Sequence, residues 1–261
     1  MLYRENAPIT KEAWKEIDEK AKEVLKTHLS ARKVVRVNGP KGPQHNVLTE
    51  GRLGEIESKD NVFYSSYKVL PLTEARIEFE MDRWELDNIW RGAKDIDYKP
   101  LEEAVKDIAL FEDRAVYSGL EETSIVGLTK ISEHPIIPFG ENPADIMDAI
   151  TQGIIRLREV YEEGPFTLVV NEEAYRRIIS KETSYPLDKR IEELIGNKII
   201  YSHVLNEALL LPFNHEDLEL TIGRDFSIGY QSHTNDKVRF FVTESFTFRV
   251  LDPSLIIRYS L

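Results

Sequence analysis

The chain contains no cysteine and no long apolar run. Without cysteine it has no disulfide framework, no thiolate metal site and no thiol nucleophile. No apolar stretch approaches the roughly 20 residues that a membrane-spanning helix needs. Residues 1–8 have neither the basic n-region nor the apolar h-region of a signal peptide. We therefore expect a cytoplasmic protein that has no membrane partner.

Positive charge is scarce relative to negative charge. Across 261 residues, 34 lysines and arginines stand against 46 aspartates and glutamates, which gives a net charge of −12. Generic nucleic-acid binding depends on clustered Lys and Arg that release counterions, so we expect no nucleic-acid partner. Hydrophobic residues make up 41% of the chain and charged residues 31%. These values indicate a folded protein with less core and more polar surface than average.

The motifs of common enzymes are missing as well. The chain has no G-x-G-x-x-G, no Walker A motif and no G-x-S-x-G. His215 and Glu216 begin like the zinc motif H-E-x-x-H, but the last position is Glu219. None of the six histidines follows a glutamate by three residues, which excludes the usual Glu-x-x-His di-iron site. The motifs predict no catalytic residue, no metal site and no enzyme activity.

Apolar periodicity predicts a mixed α+β fold. Thr10 is a candidate N-cap for an amphipathic helix, and Asn142 followed by Pro143 is a strong helix start. The predicted helices span 10–29, 84–91, 101–119 and 142–162, with a further one from Asn171. The predicted strands lie at 75–83, 166–170, near 198–202 and 207–212, and across 239–250.

Two predicted β segments carry unusual features. Residues 38–72 read as a long hairpin, with runs near 52–57 and 62–69 and little apolar content. An isolated hairpin is marginal in water, so we expect it to lie on another surface. In the last strand Glu244 falls on the face shared by Phe240, Val242 and Phe246. We expect its carboxyl group to be paired, neutralised or at an edge.

Several stretches of the chain together resemble one protein family. They include LYRENAPI (2–9), ARKVV (31–35), WELDN (84–88), EDRA (112–115), GPFTLV (164–169), YPL (185–187), DFSIGY (225–230) and TESFTF (243–248). These stretches run in order along nearly the whole chain. In this order the chain is similar to the shell proteins of type 1 encapsulins, also known as linocin-like bacteriocins, which form nanocompartments.

The resemblance implies a tailed-phage major-capsid fold of the Hong Kong 97 type, within the α+β class. Its peripheral domain would comprise residues 1–45, 73–133 and 220–261. Residues 46–72 would form the extended loop, and residues 134–219 the axial domain. The thin-cored hairpin would then gain its contacts on a neighbouring subunit.

The resemblance also implies a function in encapsulation. About 60 copies would close into an icosahedral shell around a cargo enzyme, either a ferritin-like iron-storage protein or a dye-decolourising peroxidase active in oxidative stress. Iron would enter only through that cargo. The cargo's C-terminal targeting peptide would dock between the N-terminal helix and the peripheral sheet, and the matching residues are Leu25, Leu29, Arg32, Val37, Asp225, Ile228 and Gly229. The alternative is that these residues simply pack helix on sheet.

In that groove, Arg32 and Asp225 offer charges that would orient the peptide. Many family members carry an acidic residue where Arg36 stands here. This departure bears on the charge of the peptide that the groove would accept.

Two further sites follow from the resemblance. Residues Lys181, Glu182, Thr183, Ser184 and Tyr185 match the five-fold pore region, where repeated charges would form rings that bias ion passage; the alternative is an exposed loop. Trp84 matches a tryptophan near which some members hold a flavin, and the alternative is that it packs at a strand–helix junction. No other intrinsic cofactor is expected.

Two alternative functions come from other classes. A prophage major capsid protein would have the same fold but would package DNA, and a net charge of −12 does not favour a basic inner surface. A hydrolase would need a Ser/His/Asp constellation, and none is assignable from the sequence. A neighbouring gene whose product ends in a Gly/Leu-rich tail would favour the compartment over both.

Overall fold

A computed structural model describes residues 1–179 and 185–261. Its helices are α1 (Lys11–His28), α2 (Arg83–Arg91), α3 (Lys99–Ser118), α4 (Leu128–Ile131), α5 (Pro143–Glu159), α6 (Glu172–Ile179) and α7 (Leu187–Ile195). Its strands are β1 (Arg36–Asn38), β2 (Val47–Leu53), β3 (Glu57–Lys59), β4 (Val62–Tyr64), β5 (Tyr67–Pro71), β6 (Thr73–Asp82), β7 (Ile137–Pro138), β8 (Phe166–Val170), β9 (Ile200–Tyr201), β10 (Ala208–Pro212), β11 (Leu218–Ile222), β12 (Ser227–His233), β13 (Lys237–Val250) and β14 (Ile257–Ser260). The α+β class is confirmed.

The long strand β13 is the centre of the first sheet. It pairs antiparallel with β6, β11 and β12, and β1 joins β11 in parallel. Helices α1 and α3 cover one face of this sheet, where the Trp14 ring meets the Phe240 ring edge-on at 5.4 Å. The strand predicted across 239–250 is confirmed, and Phe240, Val242, Phe246 and Phe248 are buried as predicted for its apolar face; Phe241, Thr243 and Thr247 are buried as well.

The second sheet has the order β7-β14-β10-β8-β9. Helices α5, α6 and α7 pack with it in a separate apolar core. Its strand β14 lies within the range 220–261, which is predicted for the peripheral domain. After β13 the chain crosses over to pair β14 with β10, and the side chains of Ile257 and Tyr259 are buried in the core of this second sheet.

The extended hairpin consists of two short ladders. Strand β2 pairs with β5, and β3 pairs with β4 around a two-residue turn. Asp60 and Asn61 in that turn have φ values of 50° and 67°, the left-handed conformation that such hairpin turns require. The first hairpin strand begins at Val47, before the predicted run of 52–57, and the last one ends at Pro71, after the predicted run of 62–69. Leu72 donates its backbone N–H to the carbonyl of Asn46 at 2.9 Å, so the two ends of the loop meet.

The helix predictions hold at their starts. The side chain of Thr10 accepts from the backbone N–H of Ala13 at 3.2 Å, and Asn142 caps α5 through its side chain. The helices α4 and α7 and the strands β1, β7, β11, β12 and β14 were not predicted. Among the described residues, no helix is long and apolar enough to cross a membrane.

Candidate functional site

A groove of about 630 Å³ lies between α1 and β12. The apolar face of α1 forms one wall, because residues three and four apart on a helix share a side. The apolar lining comprises Leu2, Ala21, Leu25, Leu29, Val105, Phe226, Ile228 and Val242. An amphipathic helix laid beside a sheet therefore leaves an apolar slot that is open to solvent.

The N-terminal segment closes one end of the groove. Leu2 accepts a hydrogen bond from the backbone N–H of Tyr230 in β12 at 2.8 Å. Arg4 donates to Asp18 at 2.7 Å, and its guanidinium lies 3.9 Å from the centre of the Trp14 ring. These contacts hold the segment against α1 and the sheet, so the wall is part of the folded subunit.

Arg32 is the centre of a charged cluster beneath the groove. It follows α1 and donates to both carboxylate oxygens of Glu112 in α3, with Nε–Oε1 at 2.8 Å and Nη2–Oε2 at 2.6 Å. It also donates to Asp225 at 2.8 Å and lies 3.4 Å from Glu244 in β13. Its guanidinium covers the ring of Phe226 at 4.7 Å. The cluster therefore joins α1, α3 and β13 to the residues that precede β12.

Glu112 and Glu244 are both fully buried beside this one arginine. Burial raises the pKa of Glu244 well above its ordinary value, and the charge and hydrogen bond of Glu112 raise it further, while Arg32 opposes them. These effects favour the neutral form of Glu244 in the folded chain, where its carboxyl group shares a hydrogen bond with Glu112. The sequence prediction that Glu244 is paired or neutralised is confirmed.

Asp113 fixes the turn that follows α1. Its carboxylate accepts from the backbone N–H groups of Ser30 and Ala31 at 2.9 and 3.0 Å, and from the Ser30 hydroxyl at 2.5 Å. Burial raises the pKa of Asp113 to about 6, although the hydrogen bonds from Ser30 and Ala31 act in the opposite direction. This turn leads directly into Arg32, which lines the groove.

The structure brings together five of the seven predicted groove residues. Leu25, Leu29, Arg32, Asp225 and Ile228 all line the groove. Arg32 and Asp225, which were predicted to orient a peptide by charge, pair with each other.

The other two predicted residues lie outside the lining. Val37 is in β1, opposite Leu220 of β11. Gly229 is in β12, where a Cβ would stand only 2.2 Å from the ring of Phe241, so packing on that ring requires glycine.

Sequence reasoning missed the charged rim of the groove. Lys22, Lys26 and Lys33 line it, together with Asp18 and Arg4. Positions 18, 22 and 26 are each one helical turn apart and run beside the apolar positions 21, 25 and 29. This spacing is the sequence feature that could have indicated the charged rim.

The remaining predicted sites are only partly described. Lys181, Glu182, Thr183 and Ser184 of the predicted pore lie outside the described residues, and Tyr185 donates its hydroxyl to Glu193 at 2.6 Å. Trp84 lies at the start of α2 with 67% of its surface exposed, and the Arg91 guanidinium is 5.5 Å from its ring centre. In the part of the chain that the structure describes, no three His, Asp or Glu side chains are grouped as metal ligands.

The fold defines the class of protein. A virus-like particle from Pyrococcus furiosus superposes with a TM-score of 0.69 at 16% identity, covering 94% of this chain and 98% of that one. The capsid of Myoviridae phage XM1 gives a TM-score of 0.56 at 12% identity, covering 87% and 90%. The chain has the phage-capsid fold of the Hong Kong 97 type, as predicted.

Sequence comparison identifies the family. A family model described as encapsulating protein for peroxidase matches residues 1–247. Type 1 encapsulin shell proteins of Mycolicibacterium paratuberculosis and Mycobacterium tuberculosis are 35% and 34% identical, each over 95% of this chain and 94% of the relative. The relative from Brevibacterium linens is 32% identical over 100% and 99% of the two chains. The chain belongs to the family of type 1 encapsulin shell proteins.

Proposed function

We propose that about 60 copies of this chain close into an icosahedral compartment in the cytoplasm that encloses a cargo enzyme. The chain itself would be structural, and any iron or peroxide chemistry would belong to the cargo. The family description names peroxidase as an encapsulated protein, which supports a peroxidase cargo. A ferritin-like iron-storage protein is the other cargo class that the resemblance implies.

The extended hairpin is the observation that carries the assembly proposal. Its apolar side chains face solvent in the subunit, with Phe63 77% and Tyr67 74% exposed. Two short ladders without a core do not stabilise themselves in water. In a shell, a neighbouring copy would cover these side chains and the hairpin would become an interface.

Light scattering behind size exclusion, with a negative-stain grid of the same peak, tests this proposal. Sixty copies of 30.2 kDa give about 1.8 MDa, so we expect a uniform hollow particle of that mass. The ratio of absorbance at protein and nucleic-acid wavelengths separates the compartment from a DNA-packaging capsid. A monomer or small oligomer in native buffer would overturn the assembly proposal.

We further propose that the groove beside α1 binds the cargo's C-terminal targeting peptide. Support comes from its apolar lining, its openness to solvent and its match to five residues that the resemblance assigns to docking. Short extended segments bind such slots through apolar side chains at regular spacing. Leu25 is the best residue to test, because it is only half-buried and lies on the wall.

Replacing Leu25 with Asp tests the docking proposal. Shells of the variant should form normally but retain much less cargo, measured as the cargo-to-shell ratio by gel densitometry of purified particles. Val37→Asp is the matched control, since Val37 lies outside the groove lining. Equal cargo retention by Leu25→Asp and wild-type shells would count against the groove.

The flavin prediction remains a proposal at Trp84. The open indole face would cover one side of a flavin ring, and a second subunit would have to cover the other side. The flavin would supply redox chemistry, and this chain would contribute the stacking surface. Flavin absorbance of purified shells, lost in Trp84→Ala shells, is the expected result.

A further inference from the structure

The docking groove is basic within an acidic protein. Its lining contains five basic side chains, Arg4, Lys22, Lys26, Arg32 and Lys33, and two acidic ones, Asp18 and Asp225. The formal charge of this lining is therefore +3, whereas the whole chain carries −12. A local sign opposite to that of the surrounding protein is a feature that selects ligands by charge.

Both acidic groups of the groove are already engaged in ion pairs within the subunit. Asp18 is paired with Arg4 at 2.7 Å, and Asp225 is paired with Arg32 at 2.8 Å. The basic groups Lys22, Lys26 and Lys33 differ, because no ion pair to any of them is found within residues 1–179 and 185–261.

Two other lysines of α1 do have carboxylate partners. Lys15 pairs with Glu19 at 3.8 Å, and Lys20 pairs with Glu102 of α3 at 3.2 Å. Of the α1 lysines without an ion pair in the described part of the chain, Lys22 and Lys26 line the groove, whereas Lys11 is the first residue of the helix and lies outside it.

The geometry places these ammonium groups at the rim and the apolar side chains below them. Lys22 and Lys26 are four residues apart on α1, so their Cα atoms are separated by about one turn, or roughly 6 Å. Leu25 and Leu29 follow the same direction on the adjacent row and face the slot. A segment lying along α1 would insert apolar side chains below and present alternate side chains to the lysines.

We propose that the segment that docks in this groove is acidic, with apolar side chains on the groove floor and carboxylates at Lys22 and Lys26. This inference rests on the proposed docking function and names the charge of its partner. Lys33 extends the positive rim beyond the end of α1. A basic tail of the same apolar content would meet like charge along the rim and would be rejected.

A set of matched tails tests the inference in the assembled shell. A fluorescent reporter protein is coexpressed with the full chain and carries one Gly/Leu-rich tail in three versions, which differ only in having two Glu, two Gln or two Lys. A fourth tail keeps the two Glu but replaces every Leu with Ser, and a fifth reporter has no tail. Fluorescence per mass of purified shell measures the loading.

We expect wild-type shells to load the Glu tail about fivefold more than the Lys tail, since two exposed ion pairs contribute modestly each. Lys22→Glu/Lys26→Glu shells should reverse this order. Lys11→Glu/Lys15→Glu shells carry the same charge change on α1 outside the groove, and they should keep the wild-type order. The Leu-free Glu tail should load no better than the tailless reporter.

The outcomes separate this inference from the docking proposal. Equal loading of the Glu, Gln and Lys tails, all above the tailless reporter, would overturn the charge inference and leave docking intact; a preference for the Lys tail would do the same. If no tail loads above the tailless reporter in any shell, the docking proposal falls and the charge inference falls with it. Should the Glu variant not form shells, Lys22→Gln/Lys26→Gln must abolish the preference for the Glu tail, and its persistence would overturn the inference.

Discussion

The strand β13 and the extended hairpin are built from similar alternating sequences but have opposite environments. In β13 the apolar side chains lie under α1 and α3, and Val242 is 1% exposed. In the hairpin the corresponding side chains face solvent, and Val62 is 62% exposed. Alternation therefore specifies a strand in both places, while the neighbouring elements decide whether that strand is buried.

The difference separates two levels of stability. The β13 sheet, with α1 and α3, stabilises the subunit through buried apolar area and a paired internal charge cluster. The hairpin makes its ladder contacts with itself, so it contributes to the subunit fold only weakly. We expect changes in the hairpin to affect assembly and changes at β13 to affect folding.

Removal of the hairpin should give the largest effect on assembly. Residues 47–71 can be replaced by a short Gly/Ser linker, because Asn46 and Leu72 are already hydrogen-bonded to each other at 2.9 Å. We expect a folded subunit that forms no shell, measured by circular dichroism and by light scattering behind size exclusion. Shells of normal mass from this variant would break the comparison.

Removal of the Arg32 side chain should give the largest effect on subunit stability. Arg32→Met leaves Glu112 and Glu244 buried without their cation, which costs about 3–5 kcal/mol in comparable buried pairs. Denaturant unfolding of the hairpin-deleted subunit measures this change without the shell. The control is Arg36→Met, whose pair with Glu216 is exposed and 3.5 Å long; its effect should stay within about 0.5 kcal/mol. Similar effects of the two substitutions would contradict a special role for the cluster.

The same substitution in the two regions should act on different levels. Val242→Ala removes buried methyl groups and should lower the free energy of subunit unfolding by about 1–3 kcal/mol. Val62→Ala should leave subunit unfolding unchanged and should shift shell dissociation to lower denaturant concentration. Tryptophan fluorescence follows unfolding and light scattering follows dissociation in one titration. A large unfolding effect of Val62→Ala would show that the hairpin stabilises the subunit.

Most local structure was predictable because it depends on neighbouring residues in the chain. Thr10 and Asn142 mark helix starts through their side-chain caps, and alternation in 239–250 marks a strand. The crossover of β14 to the second sheet was not predictable, because it depends on which distant strand offers a free edge. The short helices α4 and α7 were missed because few residues carry their periodicity.

The groove was predictable in position but not in its electrostatics. The resemblance to the encapsulin family placed Leu25, Leu29 and Ile228 in the groove, and their apolar side chains are consistent with that position. The sequence does not show that Arg32 and Asp225 neutralise each other, since 193 residues separate them. Nor does it show which lysines of α1 have acidic neighbours from α3. Long-range pairing decides both points.

Glu244 gives the smallest and sharpest prediction, because it places a titratable group on the buried face of β13. Its folded-state pKa is raised above the ordinary value of 4.5, first by burial and then by Glu112. The stabilisation of its neutral form is complete below the unfolded pKa and is lost as pH rises towards the folded pKa, by at most about 1.4 kcal/mol per pH unit.

Glu244→Gln keeps the donor to Glu112 and does not titrate. The free energy of unfolding of the variant should therefore increase relative to that of the wild type as pH rises from about 5 to 7. Denaturant unfolding of the hairpin-deleted subunit measures this difference. The titration of Asp113 is common to both proteins and cancels in the difference. A stability difference that is constant with pH would show that Glu244 is already ionised in the folded subunit.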